Sequence, residues 1–142
     1  MKKLLIIIVA GLLSSCTNAQ KVKEADLPAP VKSGFAKQYA SVTNATWEKE
    51  GDNFEAEFDF DKAETSVLIS ITGNILETET EIGVDKLPAG VSTYVAAHYA
   101  GKKIKEAAKI TDDKGTVTYE AELKGMDILF DDNGNFIKEV KD

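Results

Sequence analysis

One pattern of residues occurs twice along this sequence, and this repeat constrains the fold more than any other feature. Each copy begins with a Leu-Pro-Ala triplet, continues with a Glu-Ala-Glu segment and ends near a Gly-Asn pair. The matched segments are Leu27-Pro28-Ala29 with Leu87-Pro88-Ala89, Phe54-Glu55-Ala56-Glu57-Phe58 with Tyr119-Glu120-Ala121-Glu122-Leu123, and Gly73-Asn74-Ile75 with Gly134-Asn135-Phe136. The separation between the copies drifts by a few residues, as insertions and deletions in loops produce. We therefore predict a tandem duplication with repeats at 27–82 and 87–142, together forming one domain at 27–142.

Each copy is predicted to begin with a helix and to continue with four strands. Pro28 and Pro88 suit the first helical turn, apolar residues follow at every fourth position, and Gly101 is a plausible end for the second helix. The sequence then alternates between apolar and charged residues, with turn residues between the segments. The central strands begin near Phe54 and Tyr119, and the predicted flanking strands are 46–50, 66–72, 75–82, 105–111, 126–131 and 136–141.

These elements predict an α+β fold. A four-stranded sheet covered by one short helix has a marginal core, and joining two such sheets edge to edge removes two exposed edges. We therefore expect one continuous antiparallel sheet with both helices on the same side.

The N-terminus has the features of an export signal. Lys2 and Lys3 precede an apolar run that ends in small residues, so residues 1–15 are predicted to be a signal peptide. The signal ends in Leu-Ser-Ser-Cys, which resembles the lipobox of bacterial lipoproteins, and Cys16 is the only cysteine. We expect lipid attachment at Cys16, an outer-membrane location and a polar tether at 16–26. Cleavage after Ala19, which would release a soluble periplasmic or secreted protein, is the alternative.

The charge of the chain argues against nucleic acid as a partner. Removal of the signal leaves 15 lysines and no arginine against 24 acidic residues, a net charge of about −9. Such a protein repels polyanions and lacks the guanidinium groups that bind phosphates. A basic protein surface or a cation fits this charge better.

The sequence resembles the PepSY-like, beta-lactamase-inhibitor-like family of exported bacterial proteins. The features that carry this resemblance are the doubled helix-plus-four-strand pattern, the Leu-Pro helix starts, Trp47, the Phe54–Phe58 strand and the Asp131–Phe136 hairpin. The resemblance covers nearly all of 27–142. It implies a fold similar to that of beta-lactamase inhibitor protein, which holds its target with an open sheet face. It also implies a protein-binding scaffold in the envelope. We expect a non-enzymatic role, with an unidentified envelope protein, basic or a peptidase, as the partner.

Two features that could carry chemistry are better explained by structure. His98 is the only histidine, and the first copy has Gln38 at its position, which favours a structural or surface role over catalysis or metal binding. The Asp131-Asp132-Asn133-Gly134-Asn135 segment lacks the Gly and Glu spacing of an EF-hand, and its Asn-Gly pair favours a hairpin turn. We expect no catalytic residue, metal or cofactor.

The acidic residues of the strands are the candidate binding residues. They are predicted to share one open, solvated face, with Trp47 either as an aromatic anchor on that face or as a core residue. The acidic residues in question are Glu55, Glu57, Asp59, Glu77, Glu79, Glu81, Glu120 and Glu122. This face either docks a basic protein or only keeps the chain soluble. A small-ligand or cation-binding module and, less favoured, a carboxylate-based hydrolase are the alternative functions.

Overall fold

The structure is a computed structural model that describes residues 20–141. The predicted signal peptide at 1–15, Cys16 and the beginning of the tether lie outside the described residues. The strands are β1 Gln20–Val22, β2 Thr46–Glu50, β3 Asn53–Phe60, β4 Ala63–Ser70, β5 Ile75–Ile82, β6 Glu106–Asp112, β7 Val117–Leu123, β8 Met126–Asp131 and β9 Phe136–Lys141. The helices are α1 Ala29–Gln38 and α2 Ala89–His98, and each follows a single 3₁₀ turn, Glu24–Asp26 or Val84–Lys86.

The strands form a nine-stranded antiparallel sheet in which the spatial order follows the chain from β1 to β9. The predicted α+β class with one antiparallel sheet is confirmed. The chain divides into two compact units between Glu79 and Thr80, within β5. Unit 1 contains α1 and unit 2 contains α2, so each unit has one helix, as the repeat predicts.

Strand β1 lies in the segment that was predicted to be a tether. Its three residues pair with β2, and Val22 lies opposite Trp47. Val22 is also half-buried against the core of unit 1. The tether prediction is therefore wrong for residues 20–22, because an apolar residue there gains by packing against the sheet.

The helices are shorter than predicted. Pro28 and Pro88 have an extended backbone conformation and directly precede the first helical residue. A residue at this position donates no hydrogen bond within the helix, so the missing N–H of proline costs nothing there. Helix α2 ends at His98, and Gly101, with a φ of 79°, lies in the following turn. Gly101 therefore does not end the helix as predicted. The cap is Tyr99, whose backbone N–H still donates to the Val95 carbonyl.

The core of unit 1 lies between α1 and one face of β2–β4. Val31 and Phe35 of the helix pack with Trp47, Ala56 and Phe58 of the strands. Phe35 contacts Trp47 and Phe58 in edge-to-face geometry, with ring centroids 5.0 and 5.1 Å apart. Aromatic pairs of this kind contribute about 0.5–1.5 kcal/mol beyond the area they bury.

The core of unit 2 repeats this plan with smaller residues. Val91 and Val95 of α2 pack with Ala107, Ala121 and Ile128. The registers of the two units match, because Ala107 lies opposite Ala121 in the same way that Trp47 lies opposite Ala56. The second copy thus has alanine where the first has its tryptophan.

The two units differ in how the helix meets the hairpin behind it. In unit 1, a methyl group on Gly34 would overlap the backbone oxygen of Gly73, so α1 lies directly on the β4–β5 turn. In unit 2, the position equivalent to Gly34 is Tyr94, whose ring stacks on Phe136 with centroids 5.0 Å apart. A bulky ring in unit 2 therefore occupies the position of a close backbone contact in unit 1. None of the helices within residues 20–141 is long and apolar enough to cross a membrane.

Candidate functional site

Each unit has one strand face that lies opposite its helix. Because side chains alternate along a strand, the residues between the core positions point to this second face. We call it the helix-free face. In unit 1 it carries Glu48, Glu55, Glu57, Asp59, Ser66 and Leu68, and in unit 2 it carries Glu106, Ala108, Glu120, Glu122, Asp127 and Leu129.

The acidic residues of the strands are less exposed than predicted. Glu79 is fully buried, and Glu55 and Glu120 each expose only 7% of their surface. Glu77 is also buried, whereas Glu57 and Glu122 are half-buried. Only Asp59 and Glu81 of the predicted set are exposed. The prediction of an open, solvated row of carboxylates is therefore wrong for most of its members.

The burial has a cause in the neighbouring strands. Leu68 lies opposite Glu55, and Ala108 and Leu129 lie on either side of Glu120. These three apolar residues are all buried. The sequence indicates this burial in both copies, because consecutive apolar residues are typical of strands buried on both faces. The runs are Val67-Leu68-Ile69 and Ile128-Leu129-Phe130. The carboxylates therefore lie among apolar side chains and not only in water.

Glu55 has a strongly raised pKa. Its pKa is raised from 4.5 to about 7, mainly because of burial and in smaller part because of the nearby charges of Glu50, Glu48 and Glu57. The Ser66 hydroxyl donates a 2.7 Å hydrogen bond to Glu55 Oε1, which acts in the opposite direction. Sequence reasoning missed Ser66 and Glu48, because their proximity to Glu55 depends on the register of β2 and β4.

Trp47 lies in the core of unit 1. Only 4% of its surface is exposed, so it is a core residue and not an aromatic anchor on the surface. Its alternation with Ala45 and Lys49 was too weak a signal to decide between these two interpretations. The buried indole Nε1–H has no hydrogen-bond partner within residues 20–141.

His98 lies on the surface at the end of α2. Its ring stacks on Tyr94 with centroids 3.9 Å apart, and Nδ1 lies 3.0 Å from the Tyr94 carbonyl oxygen. Tyr94 in turn stacks on Phe136, so the three rings form a short column. Phe136 exposes 40% of its surface. These contacts with Tyr94 hold the His98 ring in place on the helix surface.

The Asp131 segment forms a hairpin turn between β8 and β9. Asp131 Oδ1 accepts hydrogen bonds from the backbone N–H groups of Asn133 and Asn135, at 3.0 and 2.8 Å. Oδ2 accepts a third hydrogen bond from the Asn135 side chain at 2.9 Å. These hydrogen bonds lower the pKa of Asp131. Both of its carboxylate oxygens accept hydrogen bonds within the turn. Across residues 20–141, no group of three or more acidic, histidine or cysteine side chains has a geometry that could hold a metal ion.

The sequence profile of one family matches the chain twice, over residues 15–77 and 63–138. This family is described as "Putative beta-lactamase-inhibitor-like, PepSY-like". The chain belongs to this family. The resemblance inferred from the repeats is thus confirmed. No curated protein matches the sequence.

Solved structures from Bacteroides share the fold of this PepSY-like chain. One from Bacteroides eggerthii has a TM-score of 0.72 and 17% identity, and the match covers 81% of this chain and 88% of that one. A DUF2874 family protein from Bacteroides uniformis has a TM-score of 0.72 and 20% identity, with 80% and 88% covered. A BLIP-like protein from Bacteroides fragilis has a TM-score of 0.65 and 21% identity, with 81% and 86% covered. At these identities the similarity establishes the fold alone.

Proposed function

We propose that this protein is a non-enzymatic binding module of the cell envelope that holds a basic partner protein against the accessible acidic residues of the helix-free face of unit 1, Glu48, Glu57 and Asp59. The envelope location is supported by the signal-like N-terminus and by the description of the similar Bacteroides eggerthii structure as periplasmic. Cys16 carries the lipid in this proposal. Cys16 is the only cysteine of the sequence, so it has no disulfide partner within it.

The arrangement of like charges and their effect on Glu55 support this face. Glu48 lies directly opposite Glu55 on the neighbouring strand, and Glu57 follows on the same side of β3. Like charges in such positions repel each other, and here they contribute to the raised pKa of Glu55. A lysine or arginine from a partner would replace this repulsion with attraction. Charge complementarity of this kind favours fast association and specificity.

The proposal assigns no catalytic role to the carboxylates. Acid/base catalysis needs two groups at a cleft whose environments separate their pKa values. Asp59, the exposed acid of β3, lies opposite Glu64 on an extended strand. Asp59 and the half-buried Glu57 are spaced along one strand and do not converge at a cleft, which suits contact with a protein surface better than attack on a single bond.

Chemical crosslinking of the exported protein in its native envelope tests the proposal. The test variant carries Glu48→Lys and Asp59→Lys, which reverse two charges on the helix-free face without altering a buried residue. The control variant carries Asp52→Lys and Asp113→Lys, which reverse two exposed charges in turns outside the strands. Both variants have the same net charge.

We expect wild type and the control variant to give the same crosslinked protein, and the test variant to lose it. Retention of that product by the test variant would contradict the proposal. Loss from both variants would also contradict it, because that result would point to net charge and not to this face. Thermal unfolding of all three proteins verifies that each remains folded.

A further inference from the structure

Strand β1 is a short strand at one end of the nine-stranded sheet. Its three residues pair with three of the five residues of β2, so Thr46 and Glu50 have no residue of β1 opposite them within the described chain. Gln20 and Lys21 are exposed, and only Val22 is half-buried. Segments with so little buried surface open at a low cost in free energy. Strand β1 can therefore leave the edge of β2 with a small loss of packing.

Lys21 of β1 occupies the kind of position that the proposed function gives to a basic residue of the partner. It lies directly opposite Glu48 in the register, so both side chains point to the helix-free face. Residues opposite each other in an antiparallel pair have Cβ atoms about 4.5–5.5 Å apart, and opposite charges there attract each other. Val22, the next residue, lies opposite Trp47 and packs against the core of unit 1. Strand β1 thus combines a lysine on the acidic face with an apolar residue on the core side.

The acidic residues of β2 extend beyond the part that β1 covers. Glu50 lies two residues after Glu48, and side chains at this spacing point to the same face of a strand. Burial, and after it the charge of Glu48, raises the pKa of Glu50. The charge of Glu50 in turn contributes to the raised pKa of Glu55. A five-residue strand on this edge places a second cation opposite Glu50, whereas β1 supplies only Lys21.

We propose that the basic partner binds by strand exchange, in which an extended segment of the partner replaces β1 on the edge of β2 and places basic residues opposite Glu50 and Glu48. The residue that follows the second basic residue is apolar and lies opposite Trp47. In the direction of the partner chain the pattern is basic, any residue, basic, apolar, which is the pattern of β1 lengthened by one residue. In such strand addition, backbone hydrogen bonds supply affinity and alternate side chains supply specificity. This inference rests on the proposed function, because it specifies the partner segment that the helix-free face of unit 1 holds.

A disulfide that locks β1 onto β2 tests the exchange. Gln20→Cys and Lys49→Cys place two thiols directly opposite each other, at a separation that a disulfide can span. A Cys16→Ser background makes these the only thiols of the chain. Oxidation then holds β1 in place, and reduction of the same protein releases it. The probe is the fluorescently labelled peptide Lys-Gln-Lys-Val-Thr, which has the proposed pattern, and Glu-Gln-Glu-Val-Thr is its control with opposite charges.

We expect the reduced protein to bind the basic peptide with a dissociation constant of about 1 mM in fluorescence anisotropy, and the oxidised protein to bind it at least about tenfold more weakly. The acidic peptide should bind neither form. Equal binding of the basic peptide to both forms would overturn strand exchange and leave the helix-free face as a binding surface. No binding to the reduced form would also overturn strand exchange, whereas the proposed function is judged by crosslinking of the Glu48→Lys, Asp59→Lys variant.

Two single variants test the role of Lys21 without a disulfide. Lys21→Gln weakens the attachment of β1 to the acidic face, so the basic peptide should bind about threefold more tightly, in keeping with the strength of cross-strand charge pairs. Lys49→Gln removes the same charge from a neighbouring exposed position that points to the helix side, and it should leave the affinity unchanged. Thermal unfolding verifies that both variants are folded. Equal affinities of the two variants for the basic peptide would contradict the role assigned to Lys21.

Discussion

The buried carboxyl group of Glu55 should make the protein less stable as the pH rises. Its pKa is about 7 in the folded protein and 4.5 in an ordinary environment. Between these two pH values the folded state binds more protons than the unfolded state, so the free energy of unfolding falls as pH increases. At pH 8 the difference between the two pKa values lowers the free energy of unfolding by about 3 kcal/mol, since each pKa unit is worth 1.36 kcal/mol.

Glu55→Gln removes this penalty and keeps an oxygen that can accept the Ser66 hydrogen bond. Urea unfolding of wild type and variant at pH 5 and pH 8 measures the effect. We expect the two proteins to have similar stability at pH 5 and the variant to be more stable at pH 8, by up to about 3 kcal/mol.

Asp59→Asn is the matched control, because Asp59 is an exposed acid on the same strand. It should leave the difference between pH 5 and pH 8 largely unchanged. Parallel stability curves for wild type and Glu55→Gln would refute the reasoning, because they would show that ionisation of Glu55 costs nothing in the folded state.

Three further predictions concern packing and processing. Gly34→Ala should destabilise the protein by about 1–3 kcal/mol through overlap with the β4–β5 turn, whereas Gly90→Ala, with its nearest contact at 3.4 Å, should be neutral or stabilising in thermal unfolding. Ala56→Leu should overpack the fully buried position between β2 and β4 and cost about 1–3 kcal/mol by the same assay, and an unchanged midpoint would contradict the core assignment. Cys16→Ser should abolish the lipid-bearing mass of the mature chain and release it from membranes, and membrane retention would count against acylation.

Much of the fold could be predicted because each local signal agreed with the duplicated pattern. Strands β5 and β8 have the predicted bounds, since Gly73-Asn74 and Asn133-Gly134 mark turns next to apolar runs. Strand β4 begins earlier than predicted. The turn before it is formed by Asp61 and Lys62 with φ values of 50° and 68°, a conformation for which the residue types give little warning.

The candidate site was harder to predict. Alternation correctly separates Glu55 and Glu57 from the core residues of β3, because it depends on one strand alone. Burial depends on the strands beside it, and the sequence does not state that Leu68 lies opposite Glu55. The cleft between α1 and the loop that follows it in unit 1 was likewise not predicted, because its walls come from a helix, a loop and a strand that meet only in the folded unit.

Carboxylate footprinting of the partner complex is a direct test of binding through the helix-free face of unit 1. Carbodiimide-activated labelling of exposed carboxyl groups, read by mass spectrometry, compares the free protein with the complex captured from the envelope. We expect Glu48 and Asp59 to lose label in the complex and Asp52 and Asp113 to keep it. Unchanged labelling of Glu48 and Asp59, or equal protection of all four residues, would contradict binding through the helix-free face of unit 1.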